Sequence, residues 1–121
     1  MRKVVFIDVD GTLYKAHELS LKDSIKEKLK EASKQVDLFI STGRAYNVLT
    51  CLNDVKHLFK GFVVSNGSIV IIDNEIVFEA VIDKSLKNKL IDCAKTLNAT
   101  LALLTHEHIY TNTINEYVDR A

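Results

Sequence analysis

The sequence of 121 residues predicts an α/β fold in which parallel strands alternate with helices, followed by β-hairpins and a further α+β segment. Two observations support this prediction. Short apolar runs alternate with amphipathic helical patterns up to about residue 65. Beyond that point, turn signals such as Asn66-Gly67 join the apolar runs directly. A chain of this length suits one domain and leaves little room for two complete ones.

The first half of the chain follows a β-α-β-α-β order. The apolar, β-branched run at residues 4–7 predicts a buried parallel strand. A helix follows with Ser20 as its N-cap, and residues 36–40 form the second strand. A second helix is predicted over residues 45–59 and a third strand over residues 61–65. Strands in this order form a parallel sheet with right-handed crossovers.

The second half contains hairpins and one helix. Turn signals at Asn66-Gly67 and Asp73-Asn74 separate the predicted strands, and Asp83 or Ser85 caps the helix. The predicted strands lie at residues 69–72, 76–78, 100–104 and 109–111. We expect residues 1–80 to form one unit and residues 81–121 to begin another that is incomplete.

Composition excludes several classes of protein. Sixteen basic and sixteen acidic residues give a formal net charge of zero, so neither a nucleic-acid nor a membrane partner is expected. No signal peptide is recognisable, and no apolar stretch could cross a bilayer. Cys51 and Cys93 show no metal-binding or disulfide spacing, which predicts buried or half-buried free thiols in a reducing cytoplasm.

Two carboxylates follow the first strand. Asp8 and Asp10 lie two residues apart, so on an extended segment they point to the same side. Such close like charges are relieved by a cation, and Mg²⁺ prefers oxygen ligands. Gly11 permits a sharp turn, and Thr12 offers a hydroxyl and a backbone amide. Acids and glycine are also common at ordinary turns, but the complete string favours a functional site over a structural turn.

A second polar stretch follows the next strand. Thr42, Gly43 and Arg44 stand where the predicted second helix begins, and backbone amides at a helix N-terminus bind phosphate. Arg44 could form a forked contact with an anionic substrate. The alternative is an N-capping Thr42 with a solvated Arg44. Because ligands bind at the carboxyl ends of parallel strands, both stretches are expected at one sheet edge.

These motifs resemble those of a known enzyme superfamily. The string from Phe6 to Leu13 resembles the first motif of haloacid dehalogenase (HAD) superfamily phosphatases, and Ser41 to Arg44 resembles the second motif of its Cof-type branch. Val64 to Ser68 and the hairpin through Phe78 resemble that branch's passage from its core domain into a mobile cap. The resemblance follows the chain in order over nearly its whole length.

The resemblance implies a Rossmann-like core, with its N-terminal half in residues 1–80 and the start of an α+β cap in residues 81–121. It also implies that Asp8 attacks phosphorus to form an aspartyl-phosphate, while Asp10 acts as general acid and then general base. The Asp8 carboxylate and the Asp10 backbone carbonyl would bind Mg²⁺. Thr42 would hold the phosphoryl group, and Arg44 and Asn66 would contact the substrate, a small phosphorylated metabolite.

The superfamily's two later motifs are not found. One supplies a lysine and the other an acidic Gly-Asp pair with a following Asp, and both are expected after the cap. Phosphate monoester hydrolysis needs accelerations up to about 10²¹, and losing one charge-stabilising donor costs roughly 10²–10³ in rate. We therefore expect the 121-residue chain to be a truncated form, inactive alone. Its open sheet edge is expected to cause self-association.

Other functions remain open at this point. A catalytically inactive module that binds a phosphorylated ligand or another protein would keep the same half-site. A receiver-type signalling domain fits less well, because its phosphoacceptor follows the third strand, where this sequence has Ser65-Asn66. His106 and His108 could form a metal pair, but a polar hairpin tip is the favoured interpretation.

Overall fold

A computed structural model describes residues 2–15, 18 and 20–113. The chain divides into two compact units, Met1–Glu79 and Ala80–Ala121. The first unit is built on a five-stranded sheet and the second on one helix and a two-stranded sheet.

The sheet of the first unit is mixed, with its strands in sequence order. The first three strands are parallel, and the last two continue the sheet as antiparallel hairpins. In order they are β1 (Val4–Ile7), β2 (Asp37–Ser41), β3 (Phe59–Val64), β4 (Ile69–Ile72) and β5 (Glu75–Glu79). The predicted α/β fold is confirmed.

The crossover from β1 to β2 contains helix α1 (Asp23–Ser33). Its first hydrogen bonds run to the Lys22 carbonyl, from Ile25 at 2.9 Å and Lys26 at 3.1 Å. The helix therefore begins after Lys22, which makes no side-chain cap, and the predicted cap at Ser20 is wrong. Leu21, outside the helix, is buried in the core.

The predicted helix over residues 45–59 is also wrong. Three short 3₁₀ turns take its place, at Tyr46–Val48, Thr50–Leu52 and Lys56–Leu58. Leu49, Leu52 and Val55 are spaced by three residues, and each is at most 1% exposed. Leu52 ends the second turn, whereas Leu49 and Val55 flank the turns, and the succession of tight turns brings all three side chains into the core.

The core of the first unit lies where the α1 crossover and the 3₁₀ turns cover the sheet. The strand β1 is different, because it stands at the sheet edge and leaves Val4, Val5 and Phe6 exposed by 51%, 39% and 60%. It was predicted to be buried. It is parallel to β2 as expected, but no described strand pairs with its other side.

The second unit contains helix α2 (Lys84–Thr96) and the antiparallel strands β6 (Ala102–Leu104) and β7 (Ile109–Thr111). The Asp83 carboxylate accepts a hydrogen bond from the Leu86 amide at 2.9 Å, which confirms the first of the two predicted caps. Within the described residues, no helix has both the length and the apolar character to cross a bilayer. Both thiols are free; Cys51 is half-buried, but Cys93 is exposed, contrary to expectation.

Candidate active site

The turn after β1 places Asp8 and Asp10 at the surface. Its centre is Val9, whose side chain is fully buried and whose carbonyl accepts hydrogen bonds from the next residues, including Tyr14 at 2.9 Å. Gly11 adopts φ = 82°, a conformation that side-chain-bearing residues rarely take. The apolar anchor between the two acids thus holds both carboxylates on the exposed side of a tight turn.

Arg44 forms a two-pronged ion pair with Asp10. Its Nε donates to Asp10 Oδ2 at 2.9 Å and its Nη2 donates to Asp10 Oδ1 at 2.7 Å. The hydrogen bond to Asp10 is the main reason that the pKa of Arg44 is raised above its ordinary value. The two loops predicted to share one sheet edge are therefore in direct contact, although 34 residues separate them.

Thr42 is the buried polar residue of this region, with 6% of its surface exposed. Its Oγ accepts a hydrogen bond from the Arg44 amide at 3.2 Å, and its own amide donates to the Val63 carbonyl at 2.9 Å. These bonds tie the end of β2 to the neighbouring end of β3. The hydroxyl of Thr42 is consequently held in one place.

The loop after β3 packs against the Thr42–Arg44 segment. Ser65 donates its amide to the Arg44 carbonyl at 2.9 Å, and Asn66 donates its amide to the Thr42 carbonyl at 3.3 Å. A Cβ on Gly43 would lie 2.9 Å from Asn66 Oδ1, so only glycine admits this approach without displacement. Asn66 thus lies beside the predicted site, in the left-handed region with φ = 56°.

Two residues of the site were missed in the sequence analysis. The Arg44 guanidinium carbon lies 5.3 Å from the centre of the Tyr14 ring, which is within range of a cation–π contact. Ser65 Oγ is buried and has no hydrogen-bond partner among the described residues. Ser65 could have been noticed at the end of the third strand, whereas nothing in the sequence pattern indicates the contact of Tyr14.

Other expectations about phosphate binding change with the structure. The segment after Gly43 forms the three-residue turn Tyr46–Val48 and not the predicted α-helix. A helix dipole therefore does not contribute to phosphate binding here. Thr12 is exposed, but its amide donates to the Val9 carbonyl at 3.3 Å. The Thr42 and Thr12 hydroxyl groups and the Arg44 side chain are among the donors that an anion could use.

The donor atoms of this region suit Mg²⁺, but they do not complete its coordination shell. The exposed Asp8 carboxylate is a hard oxygen ligand. The hydrogen bonds of the turn run through the Val9 and Tyr14 carbonyls, which leaves the Asp10 carbonyl outside them. Nowhere in the described part of the chain do three or more His, Cys, Asp or Glu side chains lie together to hold a metal ion. The two expected ligands therefore form a partial coordination shell.

Comparisons with known proteins agree on one family. A sequence model for haloacid dehalogenase-like hydrolases matches residues 5–121, while no curated protein matches. A haloacid dehalogenase-like hydrolase from Bacteroides thetaiotaomicron superposes with a TM-score of 0.84 at 23% identity, covering 99% of this chain and 47% of that one. A HAD subclass IIB sugar phosphatase gives 0.82 at 22% identity, with coverage of 98% and 46%.

A third solved structure, a HAD/Cof-like hydrolase from Plasmodium vivax, gives a TM-score of 0.69 at 25% identity, covering 80% of this chain and 37% of that one. The chain thus spans less than half the length of each of these structures. The likeness extends over the sheet and the two acid- and threonine-bearing loops, and it confirms the resemblance that the motifs indicated. The chain belongs to the haloacid dehalogenase-like hydrolase family.

Proposed function

We propose that the loops after β1 and β2 form the phosphoryl-transfer site of a magnesium-dependent phosphatase that acts on small phosphorylated metabolites. The observation that carries this proposal is the meeting of the two loops through the Arg44–Asp10 ion pair, beside the buried Thr42. Two acids, a cation and a fixed hydroxyl at the carboxyl ends of adjacent parallel strands suit a transferring phosphoryl group.

The proposed reaction has two steps. An Asp8 carboxylate oxygen attacks phosphorus, the bond from phosphorus to the leaving oxygen breaks, and Asp10 gives that oxygen its proton. Asp10 then takes a proton from water, whose oxygen attacks the aspartyl-phosphate, releasing inorganic phosphate and restoring Asp8. Mg²⁺, held by the Asp8 carboxylate and the Asp10 carbonyl, would offset the charge of the phosphoryl oxygens.

Arg44 has a role in this scheme that differs from simple substrate contact. Both Asp10 oxygens accept hydrogen bonds from Arg44, so the guanidinium competes with a leaving group for this carboxylate. We propose that an anionic substrate draws Arg44 away from Asp10 and so frees the acid. Asn66, beside Gly43, is the proposed second contact to the substrate.

A second candidate function is an inactive module that binds a phosphorylated ligand. The incomplete metal shell favours this module, because among the described residues Asp8 and Asp10 are not joined by a third His, Cys, Asp or Glu side chain that could bind the metal. We place either form in the cytoplasm, since Cys51 and Cys93 are free thiols.

The decisive experiment measures release of phosphate from an aryl phosphate with and without Mg²⁺. The variants are Asp8→Asn, which keeps the shape of the side chain, and Asp92→Asn, a matched control on α2. Turnover that needs Mg²⁺ and Asp8, with a mass increase of one phosphoryl group on the trapped protein, supports the phosphatase. Absence of turnover is the result expected of a truncated phosphatase, and in that case inorganic phosphate that shifts the backbone amides of Thr42 and Arg44 in folded protein supports the binding module.

A further inference from the structure

A second polar cavity, of about 520 Å³, lies at the other end of β3 from the candidate active site. Phe59 and Lys60 begin this strand, and the Asp73 amide donates to the Lys60 carbonyl at 2.9 Å. Since β3 runs parallel to β1 and β2, its amino end is remote from the loops that carry Asp8 and Thr42. The cavity is therefore separate from the proposed phosphoryl-transfer site.

Positive charge predominates among the polar side chains of the cavity. Lys56, His57 and Lys60 face it together with one acid, Asp73. The amide side chains of Asn53 and Asn74 add further hydrogen-bond donors. Donors and cations around a concave surface favour an anionic ligand.

Lys56 is the key residue of the cavity. Its ammonium lies 3.7 Å from the centre of the Tyr46 ring and 5.9 Å from that of Phe62. Burial alone lowers the pKa of Lys56, and no acid contributes to that shift. The charge is thus partly removed from water onto an aromatic surface.

We propose that this cavity is a binding site for a phosphate-type oxyanion, either free phosphate or the phosphate group of a small metabolite. Such an anion would restore the interactions that the Lys56 ammonium loses on burial, with Lys60 and the Asn side chains supplying further donors. The competing explanation is that the lysine stem only covers the Tyr46 and Phe62 rings. The substitution Lys56→Met separates the two, because it keeps the apolar stem and removes the charge.

The test is a titration of the Asp8→Asn chain with inorganic phosphate in the presence of EDTA. Binding is monitored by two-dimensional NMR of the backbone amides. These conditions remove the proposed nucleophile and Mg²⁺, so no turnover contributes, and the residues whose amides shift distinguish this cavity from phosphate held beside Thr42. We expect saturable shifts at Lys60, Asn74 and their neighbours. Lys56→Met should weaken binding about tenfold or more, the effect of losing a charge-assisted hydrogen bond.

The matched control is Lys28→Met, which removes an exposed lysine of α1 and should leave the affinity unchanged. Lys60→Met serves as a second variant if Lys56→Met disturbs the fold, and it should also weaken binding. The titration is then repeated with glucose 6-phosphate. Tighter binding of inorganic phosphate would indicate a site for the free ion, and tighter binding of glucose 6-phosphate would indicate a site for a phosphorylated metabolite. Shifts that never saturate, or equal affinity in the wild-type, Lys56→Met and Lys60→Met chains, would overturn the proposal.

Discussion

The guanidinium of Arg44 donates hydrogen bonds to both oxygens of the Asp10 carboxylate, at 2.9 and 2.7 Å. The Tyr14 ring lies 5.3 Å from the same guanidinium. Arg44 is thus placed by partners on the turn after β1, although it belongs to the loop after β2. The pair links the two loops of the proposed site and determines the resting arrangement of its acid.

The strength of this link can be measured with a double-mutant cycle of Asp10→Asn and Arg44→Met. The pair is partly exposed, so we expect a coupling free energy of about 0.5–1 kcal/mol in urea denaturation. Arg44→Lys should recover only part of it, because one ammonium does not reproduce the fork. A coupling free energy of zero would mean that the ion pair contributes nothing to the stability of the fold.

The close approach of Gly43 to Asn66 leads to a second prediction. Gly43→Ala places a methyl group 2.9 Å from Asn66 Oδ1, and we expect a loss of about 1 kcal/mol in unfolding free energy as Asn66 moves. In an Asn66→Gly background the loss should largely vanish, since glycine tolerates φ = 56° and removes the contact. An equal loss in both backgrounds, measured by urea denaturation, would contradict this account.

The strand ends were predictable because they depend on local pattern. An apolar run that stops at Asp8 or at Thr42 marks where a buried segment meets solvent, and the rule for parallel strands then places both loops at one edge. The Arg44–Asp10 pair and the Tyr14 contact could not be predicted in the same way. They depend on side-chain conformations across loops that are distant in the sequence.

The missed 3₁₀ turns and the exposed β1 have different physical causes. Leu49, Leu52 and Val55 satisfy both a three-residue and a 3.6-residue period over so short a span, so the pattern alone did not decide between them. The run 4–7 is as apolar as a central strand, but its exposure depends on which strand lies beside it. The sequence pattern indicates that a strand is apolar, but it does not indicate where that strand lies in the sheet.

A surface ion pair predicts how stability depends on pH. Lys26 Nζ lies 2.7 Å from Asp54 Oδ2, which lowers the pKa of Asp54 and raises that of Lys26. The stabilisation is present above the ordinary Asp pKa of about 3.9, and it is lost as pH falls through the lowered value. On the alkaline side, it is present below the ordinary Lys pKa of about 10.4 and lost as pH rises through the raised value.

Thermal melts of Asp54→Asn should therefore fall below those of the wild type at neutral pH, by the small amount usual for an exposed pair. The difference should close as pH falls through the lowered pKa of Asp54, and it should shrink in high salt. Asp92→Asn on α2 is the control and should melt as the wild type does. A difference that persists unchanged in acid would exclude the ion pair as its cause.

The exposed edge strand β1 is the reason that we expect the chain to self-associate. Its outer side is unpaired within the described sheet, and Phe6 is 60% exposed, so β1 offers both backbone hydrogen-bonding groups and apolar surface to a second copy. Sedimentation equilibrium should show mass rising with concentration, and Phe6→Lys should restore the monomer because a charge on an edge strand opposes pairing.

The control is Val77→Lys on β5, the opposite edge of the same sheet. A wild-type chain that stays monomeric at high concentration would refute self-association. If only Val77→Lys restored the monomer, the contact would instead lie at β5.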